Sequence, residues 1–181
     1  MIRELFLPQK LFGLRLIPQN ILGISIDRTA VYATLVYVAQ EKTSINACFK
    51  TSIDEGTYET FNKRASEAVA SILKSIKKPD QIRVSVPASF VVFKELLLPF
   101  HDTSKIRSVL AFELEELLPF PPIEAAIDFV SLGEEESGKT VILAAAVRKT
   151  DLQELISLYA QAGIDPDCVS VDLFALHSIY E

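Results

Sequence analysis

The stretch Ser25-Ile26-Asp27-Arg28-Thr29 comes nearest to phosphate chemistry of any in this sequence. It closes an apolar, strand-like run and places two hydroxyls, a carboxylate and a guanidinium within five residues. A turn that grips a metal-bound phosphate needs a carboxylate to hold the metal and its water. It also needs a glycine, so that backbone N–H groups can approach the phosphate closely. Counted from Gly23-Ile24, Ser25 stands where that carboxylate is required and Asp27 stands where the glycine is required. Serine brings no charge to magnesium, and a carboxylate facing phosphate is repulsive, strongly so where water is excluded. Shifting the register so that Asp27 holds the metal puts Thr29 where glycine is needed, and a lone Arg28 at a turn reads as a solvated cation. Ser25, Asp27, Arg28 and Thr29 are therefore expected to form a degenerate phosphate loop that binds no cofactor. Magnesium–ATP enters only under the alternative that the loop is divergent but working.

Other residues offer less. Glu113, Glu115 and Glu116 are read as one turn of helix, where they are spread around the axis rather than converging as an acid–base or metal-binding set. The simpler reading is a solvated acidic face. Glu134-Glu135-Glu136 reads as a solubilising hairpin tip, or as an acidic docking point for a basic partner. His101 follows Pro99-Phe100 without a second histidine or cysteine nearby and reads as a loop residue; His177 falls in a terminal helix. No Gly-x-Ser-x-Gly or reactive-cysteine context supports a catalytic triad. Cys48 and Cys168 are far apart, with no CxxC, and read as small buried hydrophobes in strands of a protein from a reducing compartment. Phe90 to Leu98 is dense in apolar residues for a half-exposed strand, which fits burial on both faces or a docking edge; burial is the simpler. Phe90, Val92, Glu113 and Glu116 are the candidate partner-binding residues.

The elements that must carry these residues are legible in outline. Residues 1–20 read as an irregular N-terminal arm rich in apolar side chains. They are followed by β-rich runs at Ile21–Ile26, Ala30–Ala39 and Thr43–Ile53. Breaks as short as Asp27-Arg28-Thr29 favour antiparallel hairpins. A helix capped by Thr57 repeats apolar residues from Phe61 to Ile76 and is stopped by Pro79; a strand at Gln81–Val86 follows. Phe90–Leu98 reads as a strand. A helix capped by Asp102 or Thr103 then presents Ile106, Val109, Leu110, Leu114 and Leu117, running to Pro119. A hairpin of Ile127–Leu132 with Thr140–Val147 is next, then a helix opening at Thr150 with a capping-box spacing and ending before Gly163. A strand at Cys168–Leu173 and the start of another helix close the chain. The expected fold class is α/β. A core of residues 21–87 plus 164–181 is interrupted by a small α/β module at 88–163.

Composition narrows the function. Eighteen Lys and Arg against 24 Asp and Glu leave a formal net charge of −6, with no basic face for nucleic acid. The densest apolar run, Val141–Val147, is far short of the ~20 residues of a membrane-spanning helix.

The order of residues in the second module then matters. Val84-Ser85-Val86-Pro87 and Lys94-Glu95-Leu96-Leu97-Leu98-Pro99-Phe100 precede Phe112-Glu113-Leu114-Glu115-Glu116-Leu117-Leu118-Pro119-Phe120-Pro121. Ile127-Asp128-Phe129, Ala144 to Lys149, Ala162-Gly163-Ile164-Asp165-Pro166 and Val171 to Leu176 follow. From about Leu22 to the end this succession resembles the type IV pilus assembly protein PilM and its type II secretion relative GspL. Both are grouped with the cell-division protein FtsA in the actin-like superfamily.

The resemblance implies an actin-like (ribonuclease H-like) core with an inserted 1C-type subdomain. It implies that the chain is the first half of a two-lobed molecule, half a nucleotide cleft being unable to hydrolyse ATP. Its further implication is a scaffold that does no enzymatic work, on the cytoplasmic side of a bacterial inner membrane, peripheral or anchored. Such a scaffold connects a secretion or pilus motor ATPase to platform proteins, with a homodimer left open and no nucleic acid involved. The alternative is a PilM- or FtsA-like ATP-binding protein. A ribonuclease H-like nuclease is a third reading, but it needs several converging carboxylates, and the first strand offers only Asp27.

Overall fold

The computed structural model describes residues 10–11, 14–40, 42–53, 58–135 and 138–173. The predicted cap Thr57, the tip residues Glu136 and Ser137, the terminal helix with His177, and residues 1–9, 12 and 13 of the arm lie outside these. The chain divides into two compact units, residues 1–86 with 156–181 and residues 87–155.

The first unit is built on one mixed sheet. The strands β2 (Leu14–Ile26), β3 (Ala30–Gln40) and β4 (Lys42–Ser52) form an antiparallel meander, with the two-residue β1 (Lys10–Leu11) paired to β2. On the other side of β2, β5 (Gln81–Val86) and then β9 (Cys168–Val171) add in parallel, giving the order β4-β3-β2-β5-β9. The helix α1 (Tyr58–Lys74) makes the crossover from β4 to β5. It buries Ala65, Ala68, Val69 and Ile72 at helical spacing, and it packs beside β3 and β4. Leu22, Ile24 and Ile26 on β2 and Val84 and Val86 on β5 supply the alternating apolar face that a covered sheet requires.

Parallel strands have no hairpin turn to set their register, and here two aspartates do it. Asp80 accepts from the Asn20 N–H at 2.8 Å through Oδ2, while its own N–H donates to the Asn20 carbonyl, fixing β2 against β5. Asp167 does the same with Ile82, accepting its N–H at 2.7 Å and donating to its carbonyl at 2.9 Å, which fixes β5 against β9. Asp167→Ala is expected to lower stability by about 1 kcal/mol, as for other lost carboxylate–backbone bonds at exposed positions. Urea unfolding checks this, and Asp167→Asn should recover part of the loss.

The second unit is a three-stranded antiparallel sheet, β6 (Val91–Leu98), β8 (Thr140–Arg148) and β7 (Ala125–Glu134), in the order β6-β8-β7. One face is covered by α2 (Thr103–Glu113). Ile106, Leu110 and Leu114 meet Leu98, Ile142 and Ala144 in a single core, flanked by Leu96, Val109, Ile127 and Phe129. Asp102 is the N-cap, its carboxylate accepting from the Lys105 N–H at 2.9 Å. The helix α3 (Lys149–Gln161) follows β8 directly. It ends in a left-handed Gly163 (φ +81°), with the Ile164 N–H donating back to the Tyr159 carbonyl.

Several expectations need correction. Residues 14–20 are not part of an irregular arm but the first half of β2, which pairs as far back as Arg15 with Gln40. The helix expected to run to Pro119 stops at Glu113. From there Glu115 and Leu117 donate to the carbonyls three residues back, so the chain winds as a tight turn. Leu118 packs on the core, and Leu117, expected on the apolar face, is exposed. The helix α3 begins at Lys149, so Thr150 lies inside its first turn and not at a cap. Cys48 and Cys168 are in strands as expected but exposed, because β4 and β9 are the two edges of their sheet.

Candidate functional site

The turn joining β2 to β3 is closed by its own side chain. The Asp27 carboxylate accepts through Oδ1 from the Thr29 N–H at 2.6 Å, the Ala30 N–H at 2.7 Å and the Thr29 hydroxyl at 2.8 Å. The Asp27 N–H donates to the Ala30 carbonyl at 3.0 Å, and the Thr29 carbonyl accepts from Ile53 at 2.7 Å. This is an aspartate turn, in which a short side chain satisfies the backbone donors that the reversal leaves free. Burial works to raise the Asp27 pKa. The hydrogen bonds from Thr29, Ala30 and the Tyr32 side chain outweigh it and hold the carboxyl below its ordinary value.

Ser25 sits in β2 opposite Tyr32, half-buried, and Arg28 is exposed at the apex. Gly23 has room for a Cβ, whose nearest neighbour would be the Thr34 carbonyl oxygen at 3.9 Å, so no close approach demands glycine there. The two N–H groups that a phosphate would need are engaged by Asp27, and Ser25 supplies no charge for magnesium. The residues present do not fit a magnesium nucleotide at this turn. Asp27 was legible in the sequence as a repulsive substitute for glycine. Its positive role, signalled by the Asp-x-Thr spacing, was not drawn from it.

The other candidates all lie in the second unit. Phe90 ends a short 3₁₀ turn before β6 and is 53% exposed; Val92 is half-buried on β6, an edge strand of its sheet. Glu113 closes α2, and Glu115 and Glu116 lie in the turn beyond it, all three exposed, so they do not share a turn of helix. His101 is a loop residue, as expected. Its Nδ1 lies 3.0 Å from the Thr140 hydroxyl and 3.1 Å from a Glu134 oxygen. Among the described residues no group of His, Cys, Asp and Glu is arranged to hold a metal ion, and no helix is long and apolar enough to cross a membrane.

The family model described as type IV pilus assembly protein PilM matches residues 23–181. The chain belongs to the PilM family. Among solved structures it is similar to a chain of the PilM–PilN type IV pilus biogenesis complex, with a TM-score of 0.70 at 19% identity, over 88% of this chain and 49% of that one. It is also similar to the cytoplasmic domain of EpsL, an inner-membrane component of the type II secretion system of Vibrio cholerae. There the TM-score is 0.61 at 15% identity, over 86% of this chain and 58% of that one. This PilM family member thus spans about half the length of the solved chains it matches. No match is found among curated proteins. The α/β architecture is the one the sequence led us to expect.

Proposed function

We propose that this PilM family chain is a non-hydrolysing scaffold subunit of a type IV pilus or type II secretion inner-membrane platform. It acts on the cytoplasmic side and binds the motor ATPase and membrane partners. Family membership supports the assignment to this machinery. The reading that it does so without nucleotide rests on one observation, the Asp27 carboxylate engaged on the Thr29 and Ala30 N–H groups. A phosphate arriving there would have to displace a carboxylate that is already hydrogen-bonded and of its own sign.

Titration calorimetry of the chain with magnesium–ATP is expected to give no binding heat, and the nucleotide no shift in Tm. Saturable heat that disappears on Arg28→Ala or Thr29→Ala would overturn the non-hydrolysing reading in favour of an ATP-binding one. The scaffold role is tested separately, by co-purification with the motor ATPase encoded in the same genome. Stable association is expected, and its absence with the membrane partners also present would overturn the role.

A further inference from the structure

We infer that the end of α2 and the 3₁₀ turn at Pro122–Glu124 form a docking ledge for a cationic amphipathic segment of another protein. Phe112 on α2 and Ile123 on the 3₁₀ turn are 76% and 80% exposed, on two segments that lie beside each other, and Leu117, in the chain between them, is also exposed. Large apolar side chains that open to water, grouped together, mark a contact surface. Around them stand Glu113, Glu115, Glu116 and Glu124, all exposed and none with an ion-pair partner among the described residues.

The sequence that carries this ledge is one-sided in charge. Residues 108–138 contain eight acidic residues and not one Lys, Arg or His. Residues 87–155 hold six Lys and Arg against twelve Asp and Glu, so this unit carries the whole net charge of −6. Of the nearby cations, two are engaged on neighbouring side chains and one is tied to the backbone of the ledge itself. Arg107 pairs with Asp128 at 3.1 Å, Arg148 lies over the Phe120 ring at 4.9 Å, and the Lys149 Nζ donates to the Ile123 carbonyl at 2.8 Å.

At its C-terminal end the placement also opposes the helix dipole. The N-cap Asp102 suits the positive end of α2, but its last turn has no base and the glutamates gather at its negative end. That layout is unfavourable for the free helix, and it is relieved when positive charge arrives. A cation-bearing partner supplies that charge while its apolar side chains cover Phe112, Leu117 and Ile123. A second copy of this face would add like charge, and an anionic lipid surface would be repelled; neither fits. The inference stands on this surface alone, whichever machine the chain serves.

The test uses the whole chain and a synthetic helical peptide with leucine on one face and lysine on the other, beside a scrambled peptide of the same composition. Binding is followed by calorimetry and by amide shifts. Binding of the amphipathic peptide is expected, with shifts centred on residues 112–124 and affinity falling as salt is raised. The triple variant E113Q/E115Q/E116Q should weaken it by about tenfold or more, and so should the separate F112S and I123S variants. Circular dichroism identifies any variant that fails to fold, and the remaining ones then decide. No binding, equal binding of the scrambled peptide, shifts centred on other residues, or unchanged affinity in the folded variants would overturn the inference. So would self-association through this face or capture by anionic vesicles.

Discussion

Replacing Ile142 by alanine is expected to remove about 3–4 kcal/mol from the second unit, enough to unfold much of it while the first unit remains folded. Ile142 is fully buried on β8, the middle strand, within a cluster that joins the sheet to α2. The cost combines the lost transfer free energy of the deleted methyl and methylene groups with the cavity left beside Leu110 and Leu114, which a packed core closes only in part. A unit this small has a total stability of only ~3–10 kcal/mol, so the loss consumes a large share of it. Urea unfolding of the variant should show two separated transitions, the earlier one belonging to the second unit. Ile142→Val, which keeps most of the volume, should cost about 1 kcal/mol. A single transition at the unaltered midpoint would show that the cluster does not hold the unit together.

The second large effect belongs to Asp27. Asp27→Ala strands the N–H groups of Thr29 and Ala30 in a reversal that the β2–β3 pairing forces on the chain, and it should cost about 2 kcal/mol. The figure is held down because the turn is exposed and water replaces part of what is lost. Because the folded pKa is depressed, the stabilisation is fully present above the unfolded-state value near 3.8. It is lost as pH falls through the lower folded value. Wild type should therefore lose stability across that acid window, and Asp27→Asn, which keeps an acceptor without the titration, should lose less of it. The readout is urea midpoints measured from neutral pH down to about pH 2. Parallel wild-type and Asp27→Asn curves would show that the carboxylate is not what closes the turn.

Some parts of the fold were readable because their causes are local. The strand Gln81–Val86 lies between Pro79 and Pro87, and its bounds were read from those punctuation residues alone. Asp102 was legible as one of two possible caps because the donor it satisfies is three residues away. Gly163 was legible as a helix stop because left-handed backbone is local too. The aspartates that register the parallel strands were missed, although each stands in a Pro-Asp pair just before its strand. Their partners, Asn20 and Ile82, are 60 and 85 residues away in sequence. The exposure of Leu117 was missed because a helical pattern placed it on the apolar face, whereas the helix gives way to a turn at Leu114.

By itself the sequence determined the order and type of the main elements from Ile21 onward, the lack of a carboxylate–glycine pair in the first turn, and, through an ordered set of residues, the family. These follow from side-chain chemistry and from periodicities that act within a turn of helix or a pair of strands. Only the tertiary structure decided that Asp27 fills the turn it interrupts, that the cysteines lie at open sheet edges, and where α2 gives way to a turn. It also decided which apolar residues remain in water. Each of these depends on what a distant segment brings to the same point, and burial is a property of the packed whole rather than of any residue in it.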